Sequence, residues 1–187
     1  MSTKKTILSA ASSIREGGVI LCLTDTVWGL SADARNFNAV NKIFELKRRP
    51  AQKSMIVLVS SLDMLQTYVS EIPAVAINLI AKSTHPSSII YPKGINLASN
   101  VIAENGSIAI RLVTHGKCHK LIQHLGYPIV SSSANLSGEP DPKNFGEVNI
   151  YLKNSVDYIL EDTESNKQAA QASAIYLIEG DLLKQIR

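Results

Sequence analysis

Two uninterrupted apolar runs, VILCL at 19–23 and MIVLV at 55–59, constrain the fold of this chain more than any other feature. A continuous apolar run is typical of a strand that is covered on both faces. Helical patterns alternate with these runs, and alternation of that kind predicts helices packed on both sides of a sheet. We therefore expect an α/β fold, with a twisted, mixed, open sheet flanked by helices.

Helices are predicted before and after the first of these strands. The first helix carries its apolar face at helical spacing, on Ile7, Leu8, Ala11 and Ile14. Gly17 and Gly18 follow and are expected to end it. A second helix is predicted with Asn38 as its N-cap and Pro50 at its end.

Short strands dominate the second half of the chain. They are predicted at 89–91, 107–112, 128–132, 158–160 and 174–178, and GDLLKQIR, 180–187, is predicted as a closing hairpin arm. A short helix around KCHKLIQHLG separates two of them and is expected to end at Gly126. The 187 residues, of which 45% are hydrophobic, suffice for one core and are too few for two. We expect a single domain over 1–187 with no additional C-terminal domain.

Charge and cysteine content indicate a cellular compartment but do not identify a binding partner. The net charge is only +3, so a positive surface has to be local before it indicates a nucleic-acid partner. Arg15 and Glu16 interrupt the N-terminal segment before any membrane-spanning length, so a cytoplasmic protein without a membrane partner is expected. Cys22 and Cys118 form no C-x-x-C pair, and a structural disulfide is not expected.

The segment LTDTVWGL, 23–30, places small hydrogen-bonding side chains directly after the first strand. Ligands of open α/β sheets bind at the carboxyl ends of strands. Thr24 and Thr26 are two apart in an extended segment and point to the same side, so both hydroxyls can grip one ligand. The alternative is a turn in which Asp25 and the threonines bond their own backbone.

KRRP, 47–50, is a second candidate. The residue before a proline is pushed towards extended geometry, which would put Lys47 and Arg49 on one side and Arg48 on the other. Such a pair suits a polyphosphate, because arginine offers a bidentate fork and lysine a point charge. The alternative is a set of cations that neutralises a helix C-terminus.

SSSANLSG, 131–138, follows a predicted strand, and its small polar side chains can line an anion pocket or form a plain serine-rich turn. Arg111 interrupts the strand SIAIRL and needs a partner, as a carboxylate clamp or as a paired structural cation. No P-loop, G-x-G-x-x-G or nucleophile-elbow pattern occurs. His115, Cys118, His119 and His124 match no zinc spacing, so a solvated helix face is expected there and no metal site.

The order and spacing of TDTVWGL, KRRP, SIAIRL and SSSANLSG resemble the YrdC-like family, whose members make L-threonylcarbamoyladenylate. The resemblance implies a deep, positively charged central cavity in the sheet protein. It implies that L-threonine, bicarbonate and ATP react, with Mg²⁺ on the pyrophosphate that leaves. The adenylate would serve a downstream tRNA threonylcarbamoyl transferase that modifies position 37 of tRNA.

The resemblance also assigns residues. Lys47 and Arg49 match K-x-R, and Ser133 and Asn135 match S-x-N, the positions associated with ATP and the reactive phosphate. The positions that line the threonine and nucleotide pockets correspond to Thr24, Thr26, Trp28, Ser107, Arg111, Ser131 and Ser173. The chain departs from the family pattern at Leu23, at Trp28 in place of tyrosine, at His85 in place of glycine and at Ala174 in place of threonine.

A competing interpretation is a binding module. The same cavity would hold double-stranded RNA or tRNA without synthesis, with strongly salt-dependent affinity. The modest net charge and the lack of an aromatic platform beside the basic run favour the enzyme.

Overall fold

A computed structural model of the chain describes residues 3–48, 55–160 and 172–187, and the side chains from residue 6 onward. The described helices are α1 (Thr3–Arg15), α2 (Phe37–Leu46), α3 (Leu62–Tyr68), α4 (Ala74–Lys82), α5 (Gly116–Leu125) and α6 (Ile150–Ser155). The described strands are β1 (Ile20–Leu23), β2 (Trp28–Asp33), β3 (Ile56–Val59), β4 (Ser87–Tyr91), β5 (Ile108–Leu112), β6 (Ile129–Ser133), β7 (Tyr158–Leu160), β8 (Ala174–Glu179) and β9 (Leu182–Gln185). No helix in the described ranges is long and apolar enough to cross a bilayer.

All of the described strands belong to one sheet, in the order β7-β1-β2-β6-β3-β5-β4-β8-β9. The sheet is mixed, because β7 runs parallel to β1, β3 to β5 and β4 to β8, while the other neighbours are antiparallel. The predicted α/β class and mixed sheet are confirmed. The predicted strands are all present, with ends shifted by at most two residues.

The two faces of the sheet follow from the alternation of side chains along each strand. In β5, Ile108 and Ile110 are buried in the larger core with side chains from α2, α3 and α4. Ala109 and Arg111 point to the opposite face. On that face a smaller core joins β1 and β3 to α1 and α5.

Helices cover only part of this second face. α1 packs against β1, β2 and β7, and α5 packs against β1 and β3, which places both over the half of the sheet that begins at β7. Beyond them, towards β4 and β8, the same face borders a cavity that Ala109, Ile90 and Ile175 help to line. The site therefore lies where the helical cover stops.

β2 was not predicted, and it changes the meaning of the segment before it. Leu23 pairs with Trp28, so β1 and β2 form an antiparallel hairpin whose loop is Thr24 to Val27. β1 ends at Leu23 as predicted, but the chain turns back at once as β2 before it reaches α2. The second half of β2, SAD, consists of small and polar residues, so the sequence shows no apolar run there. The strand is nevertheless buried, because it lies between β1 and β6.

Two details of the helix predictions are also wrong. Asn36, not Asn38, caps α2, and its side chain accepts hydrogen bonds from the backbone N–H groups of Asn38 and Ala39 at 3.0 and 3.1 Å. Leu8 is 45% exposed, and Ala10 takes the buried position on α1. The predicted end of α5 is confirmed, because Gly126 adopts φ +75°, which favours glycine.

Candidate active site

A cavity of about 320 Å³ lies on the face of the sheet beside α1 and α5. Among the residues predicted for the site, those that line it are Thr24, Thr26, Arg111, Ser131, Ser133 and Ser173. They come from the β1–β2 hairpin loop, β5, β6 and the segment before β8. The structure thus brings together residues that are up to 149 positions apart in the sequence, from Thr24 to Ser173.

Small side chains form the floor of this cavity. Gly29, Ala109 and Ser131 are small strand residues that line it. At Gly29 a Cβ atom would lie 2.5 Å from Ser131 Oγ and 3.3 Å from the carbonyl oxygen of Ser132. Glycine is therefore needed here for close approach between β2 and β6 rather than for backbone conformation.

Gly29→Ala is expected to lower both thermal stability and ligand binding. The added methyl group forces Ser131 Oγ away and breaks the hydrogen bond of 3.1 Å that Ser31 donates to it. The double variant Gly29→Ala with Ser131→Ala removes the clashing atom and should recover most of the lost Tm. If Gly29→Ala has the Tm of the wild type, the close approach of β2 and β6 does not require glycine at this position.

The hairpin loop combines the two alternatives for Thr24 and Thr26, a turn that bonds its own backbone and a pair of neighbouring hydroxyls. Thr24 Oγ donates to the carbonyl of Val27 at 2.9 Å and accepts from the N–H groups of Thr26 and Val27 at 3.1 and 3.2 Å. Thr24 therefore shapes the turn through its own backbone. The two threonine hydroxyls nevertheless lie together, 3.0 Å apart, as their spacing predicted. Thr26, only 3% exposed, contacts the charged cluster of the cavity.

That cluster is centred on Arg111. Its Nη2 lies 2.9 Å from Asp25 Oδ1 and donates to Thr26 Oγ1 at 3.2 Å. Its Nη1 donates to Ser173 Oγ at 3.3 Å. The side chains of Arg111 and Asp25 are only 5% and 4% exposed. Arg111 is thus a paired cation, and Asp25 neutralises it besides belonging to the turn.

Ser173 connects two arginines across the cavity wall. Its Oγ accepts from Arg111 Nη1 and, at 3.5 Å, from Arg187 Nη2, and it lies 2.9 Å from Ser88 Oγ. Guanidinium groups only donate. Because Ser173 Oγ accepts from both arginines, it donates its own hydrogen bond to Ser88 Oγ. The three neighbours together determine the orientation of the hydroxyl.

Arg187 is a cavity residue that the sequence reasoning missed. Its carbonyl accepts a hydrogen bond of 3.1 Å from the N–H group of Ile175, and its Nε donates to the carbonyl of Ser173 at 3.2 Å. The predicted closing hairpin contains the signal, because pairing the arm with β8 brings position 187 next to position 175. The apolar pattern does not determine the register of that hairpin. Asp141, an exposed carboxylate at the cavity, was also missed.

Lys47 lies under the S-x-N turn. It is 1% exposed, and its ammonium group donates to the carbonyl of Ser133, to the carbonyl of Asn135 at 2.7 Å and to Asn135 Oδ1 at 3.0 Å. Ser133 Oγ in turn donates to Asn135 Oδ1 at 2.6 Å. Lys47 of K-x-R and the S-x-N turn, predicted from separate segments, thus meet in space.

The extended geometry predicted for KRRP is wrong at its first two residues. Lys47 is the helical C-cap of α2 with φ −83° and ψ −5°, and Arg48 has φ +49°. A left-handed residue after a helix is a common helix ending, and it points Arg48 into solvent, 6.0 Å from the Tyr151 ring centroid. Arg49 and Pro50 lie outside the described residues.

Trp28 and Ser107 do not line the cavity. Trp28 alternates with Gly29 along β2, so its ring enters the larger core and packs at 5.0 Å from Phe145. Ser107 precedes β5 and lies at the opposite end of that strand from Arg111. Its N–H group donates to Asn105 Oδ1 at 3.1 Å.

The two cysteines are free thiols, and both are buried. They belong to the smaller core, Cys22 on β1 and Cys118 on α5, and the hydrogen bond between the thiols lowers the pKa of Cys22. The same bond and burial raise the pKa of Cys118 well above its usual value. The solvated helix face predicted for this region is wrong at Cys118, and His119 Nδ1 lies 2.7 Å from the carbonyl of Val113.

The described residues around the cavity do not form a metal site. In the described ranges, no group of three or more His, Cys, Asp or Glu side chains is placed to hold a metal ion. Arg187 and the Arg111–Asp25 pair line or border the cavity with Asp141. The positive charge predicted for the cavity stays a prediction.

The chain matches known proteins along most of its length. The family model for the Sua5/YciO/YrdC domain, described as telomere recombination, matches residues 12–187. A threonylcarbamoyl-AMP synthase of Xanthomonas euvesicatoria pv. vesicatoria is 34% identical over 155 residues, which are 81% of this chain and 83% of that protein.

Solved structures share the fold. The crystal structure of Pyrococcus abyssi Sua5 complexed with L-threonine superimposes on 100% of this chain with a TM-score of 0.85 and 28% identity. This chain spans about half of that protein, 54% of its length. Escherichia coli YciO matches with a TM-score of 0.82 and 21% identity over 100% of this chain and 89% of its own, a likeness of fold alone.

Proposed function

Because the chain belongs to the Sua5/YciO/YrdC family, we propose that it is a threonylcarbamoyl-AMP synthase, which joins L-threonine, bicarbonate and ATP and releases pyrophosphate. The observation that carries this proposal is the meeting of Lys47 with the Ser133–Asn135 turn beside the cavity of Arg111, Thr26 and Ser173. A nucleotidyl transfer needs both a phosphate end and an end for a small amino acid. Ser133 of the first group lines the same cavity as Thr26, Arg111 and Ser173 of the second.

The threonine end is assigned to the hairpin loop and Arg111. Hydroxyl donors and a guanidinium suit the hydroxyl and carboxylate of an amino acid. Thr26, Arg111 and Ser173 are already joined by hydrogen bonds, so a bound amino acid meets groups whose orientation is determined before it arrives. The complex of the Pyrococcus relative with L-threonine supports threonine as the amino acid.

The phosphate end is assigned to the S-x-N turn. All three Lys47 donors are engaged, with two carbonyls and with Asn135 Oδ1. We infer that Lys47 contributes its charge and the shape of the turn, while Ser133 and Asn135 contact the reactive phosphate. Arg49 is assigned to the phosphates by its match to K-x-R, and it lies outside the described residues.

The chemistry needs positioned donors rather than a protein nucleophile. The threonine amine and bicarbonate give a carbamate and release water, an oxygen of the carbamate attacks the α-phosphorus of ATP, and pyrophosphate departs. Negative charge builds on the phosphates as the bond to the leaving group breaks. Donors that are already in place stabilise that charge without reorganisation, and holding both reactants in one cavity lowers the entropic part of the barrier.

Mg²⁺ enters the proposal as a counterion of the ATP substrate. The described residues offer no cluster of three ligands for a resident metal, whereas Mg²⁺ is commonly held by substrate phosphates with one or two carboxylates. Asp141 is the carboxylate at the cavity that meets this need. No step above depends on the ion.

The product would pass to a tRNA threonylcarbamoyl transferase for modification of position 37 of tRNA, and we place the reaction in the cytoplasm. The alternative, a double-stranded RNA or tRNA binder of this fold without synthesis, makes an opposite prediction. It would bind RNA with strong salt dependence and would show no threonine-dependent turnover.

The decisive measurement is pyrophosphate release from ATP by the purified protein, with threonine and bicarbonate omitted in turn. We expect release only when both are present, because the carbamate is the nucleophile. Release that is independent of threonine, or none at all in the complete mixture, contradicts the proposal. RNA binding in the absence of release would favour the alternative.

A further inference from the structure

Asp25 and Arg111 form an almost completely buried ion pair at the edge of the cavity. Asp25 Oδ1 lies 2.9 Å from Arg111 Nη2, and the two side chains are 4% and 5% exposed. Asp25 Oδ1 makes no aligned hydrogen bond within the described structure, so the attraction between the charges holds the pair. Such a contact is strong only because water is excluded from it.

The rest of the guanidinium is directed by neutral groups. Nη2 reaches Thr26 Oγ1 at 3.2 Å and Nη1 reaches Ser173 Oγ at 3.3 Å, while the Nε–H group has no hydrogen-bond partner in the described part of the chain. Hydroxyl groups cannot cancel a positive charge. Within this cluster, Asp25 is therefore the group that does.

We propose that Asp25 is a positioning residue, whose carboxylate holds the Arg111 guanidinium between Thr26 and Ser173 and cancels its charge. Arg111 then acts as an oriented hydrogen-bond donor for the substrate and not as an uncompensated cation that binds any anion. The choice of activity assay rests on the proposed function, whereas the anion-binding measurement below does not.

The first test replaces Asp25 by asparagine, which keeps the size and removes the charge. Arg111 is left as an uncompensated cation beside the cavity. Sulfate binding, measured by isothermal titration calorimetry, is expected to become about tenfold tighter. The value of kcat/KM for threonine is expected to fall at least about tenfold, because the guanidinium is no longer held in one orientation.

Asp33→Asn is the matched control. Asp33 belongs to another aspartate–arginine pair, with Arg35 at 2.8 Å, and its side chain is 12% exposed. That pair does not line the cavity. The control is expected to lower Tm, with sulfate affinity and threonine kinetics within about twofold of the wild type.

Asp25→Glu separates positioning from turn formation. A glutamate keeps the charge, and its extra methylene disturbs a tight loop at least as much as asparagine does. If Asp25 acts on Arg111, the glutamate variant has wild-type sulfate affinity and recovers part of the threonine kcat/KM. If it only shapes the turn, sulfate affinity is unchanged in both variants and glutamate gives no recovery, and the proposal is overturned.

A double-mutant cycle with Arg111→Gln completes the test and covers a variant that fails to fold. Removing both partners of a buried pair is better tolerated than removing one, so Asp25→Asn with Arg111→Gln is expected to fold. In the Arg111→Gln background, Asp25→Asn should change sulfate binding by less than about twofold. A full effect of Asp25→Asn in that background would overturn the proposal.

The two proposals fail in different ways. If the wild type releases no pyrophosphate in a threonine-dependent manner, the proposed function is wrong, and sulfate titration still decides the role of Asp25. If turnover is present but Asp25→Asn leaves sulfate affinity unchanged, only the positioning role is lost.

Discussion

Lys47→Ala is expected to lower threonine-dependent pyrophosphate release by at least about a hundredfold, as the loss of an electrostatic donor group commonly does. The ammonium group joins the end of α2 to the carbonyls of Ser133 and Asn135 and to the Asn135 side chain. Without it the two half-buried carbonyls lose this donor, and the turn that holds Ser133 and Asn135 relaxes. Each unpaired acceptor costs about 1–3 kcal/mol, so Tm falls as well.

Lys47→Met and Arg48→Ala separate the possible reasons for this loss. Methionine keeps most of the buried volume but supplies neither charge nor donor, so it should recover only the part of the lost stability that depends on packing, and none of the turnover. Arg48 is exposed and points away from the turn, and its replacement should change kcat/KM by less than about twofold. Equal losses in Lys47→Ala and Arg48→Ala would contradict the role of Lys47.

Arg111→Ala is expected to destabilise the protein by about 3–5 kcal/mol, the usual effect of leaving one member of a buried pair uncompensated. Asp25 then carries a buried negative charge next to the cavity, and Thr26 and Ser173 lose their shared donor. Threonine-dependent turnover should fall by at least about a hundredfold, because the amino-acid end loses its guanidinium. Urea unfolding followed by circular dichroism measures the first effect, and pyrophosphate release measures the second.

Arg35→Ala provides the comparison for that variant. Arg35 pairs with Asp33 at 2.8 Å, but its side chain is 41% exposed. Arg35 also donates to both carboxylate oxygens of Asp33 and lies 3.5 Å from the Tyr127 ring centroid. Arg35→Ala should therefore lower the free energy of unfolding, but by less than Arg111→Ala, because water reaches the exposed side of this pair. A loss in Arg35→Ala as large as in Arg111→Ala would mean that burial does not determine the strength of these pairs.

The sequence predicted the sheet better than it predicted the loops. Apolar runs such as 55–59 and 107–112 became strands in the expected places because each run carries its own requirement for burial. β2 was not predicted, because its burial comes from the strands at its two sides and not from an apolar run of its own. The cap at Asn36 was placed two residues too late, since both asparagines can accept the backbone N–H groups of a first turn.

The sequence predicted which residues belong to the candidate site better than it predicted what each of them does there. The spacing of Thr24 and Thr26 predicted neighbouring hydroxyls, which the structure has at 3.0 Å. The assignment of Asp25 to the turn omitted its ion pair with Arg111. Arg187 was missed because its approach to Ser173 depends on hairpin register, and a shift of one residue would turn it to the other face.

Local pattern alone determined which segments form strands and helices, because hydrophobic burial and helix capping act over a few neighbouring residues. Only the tertiary structure decided the site. The hydrogen bonds that build it join Arg111 to Ser173 across 62 residues, Thr26 to Arg111 across 85 and Lys47 to Asn135 across 88. Contacts over such separations depend on the order of strands in the sheet and on where the helices stop covering it, and neither is encoded in any single segment.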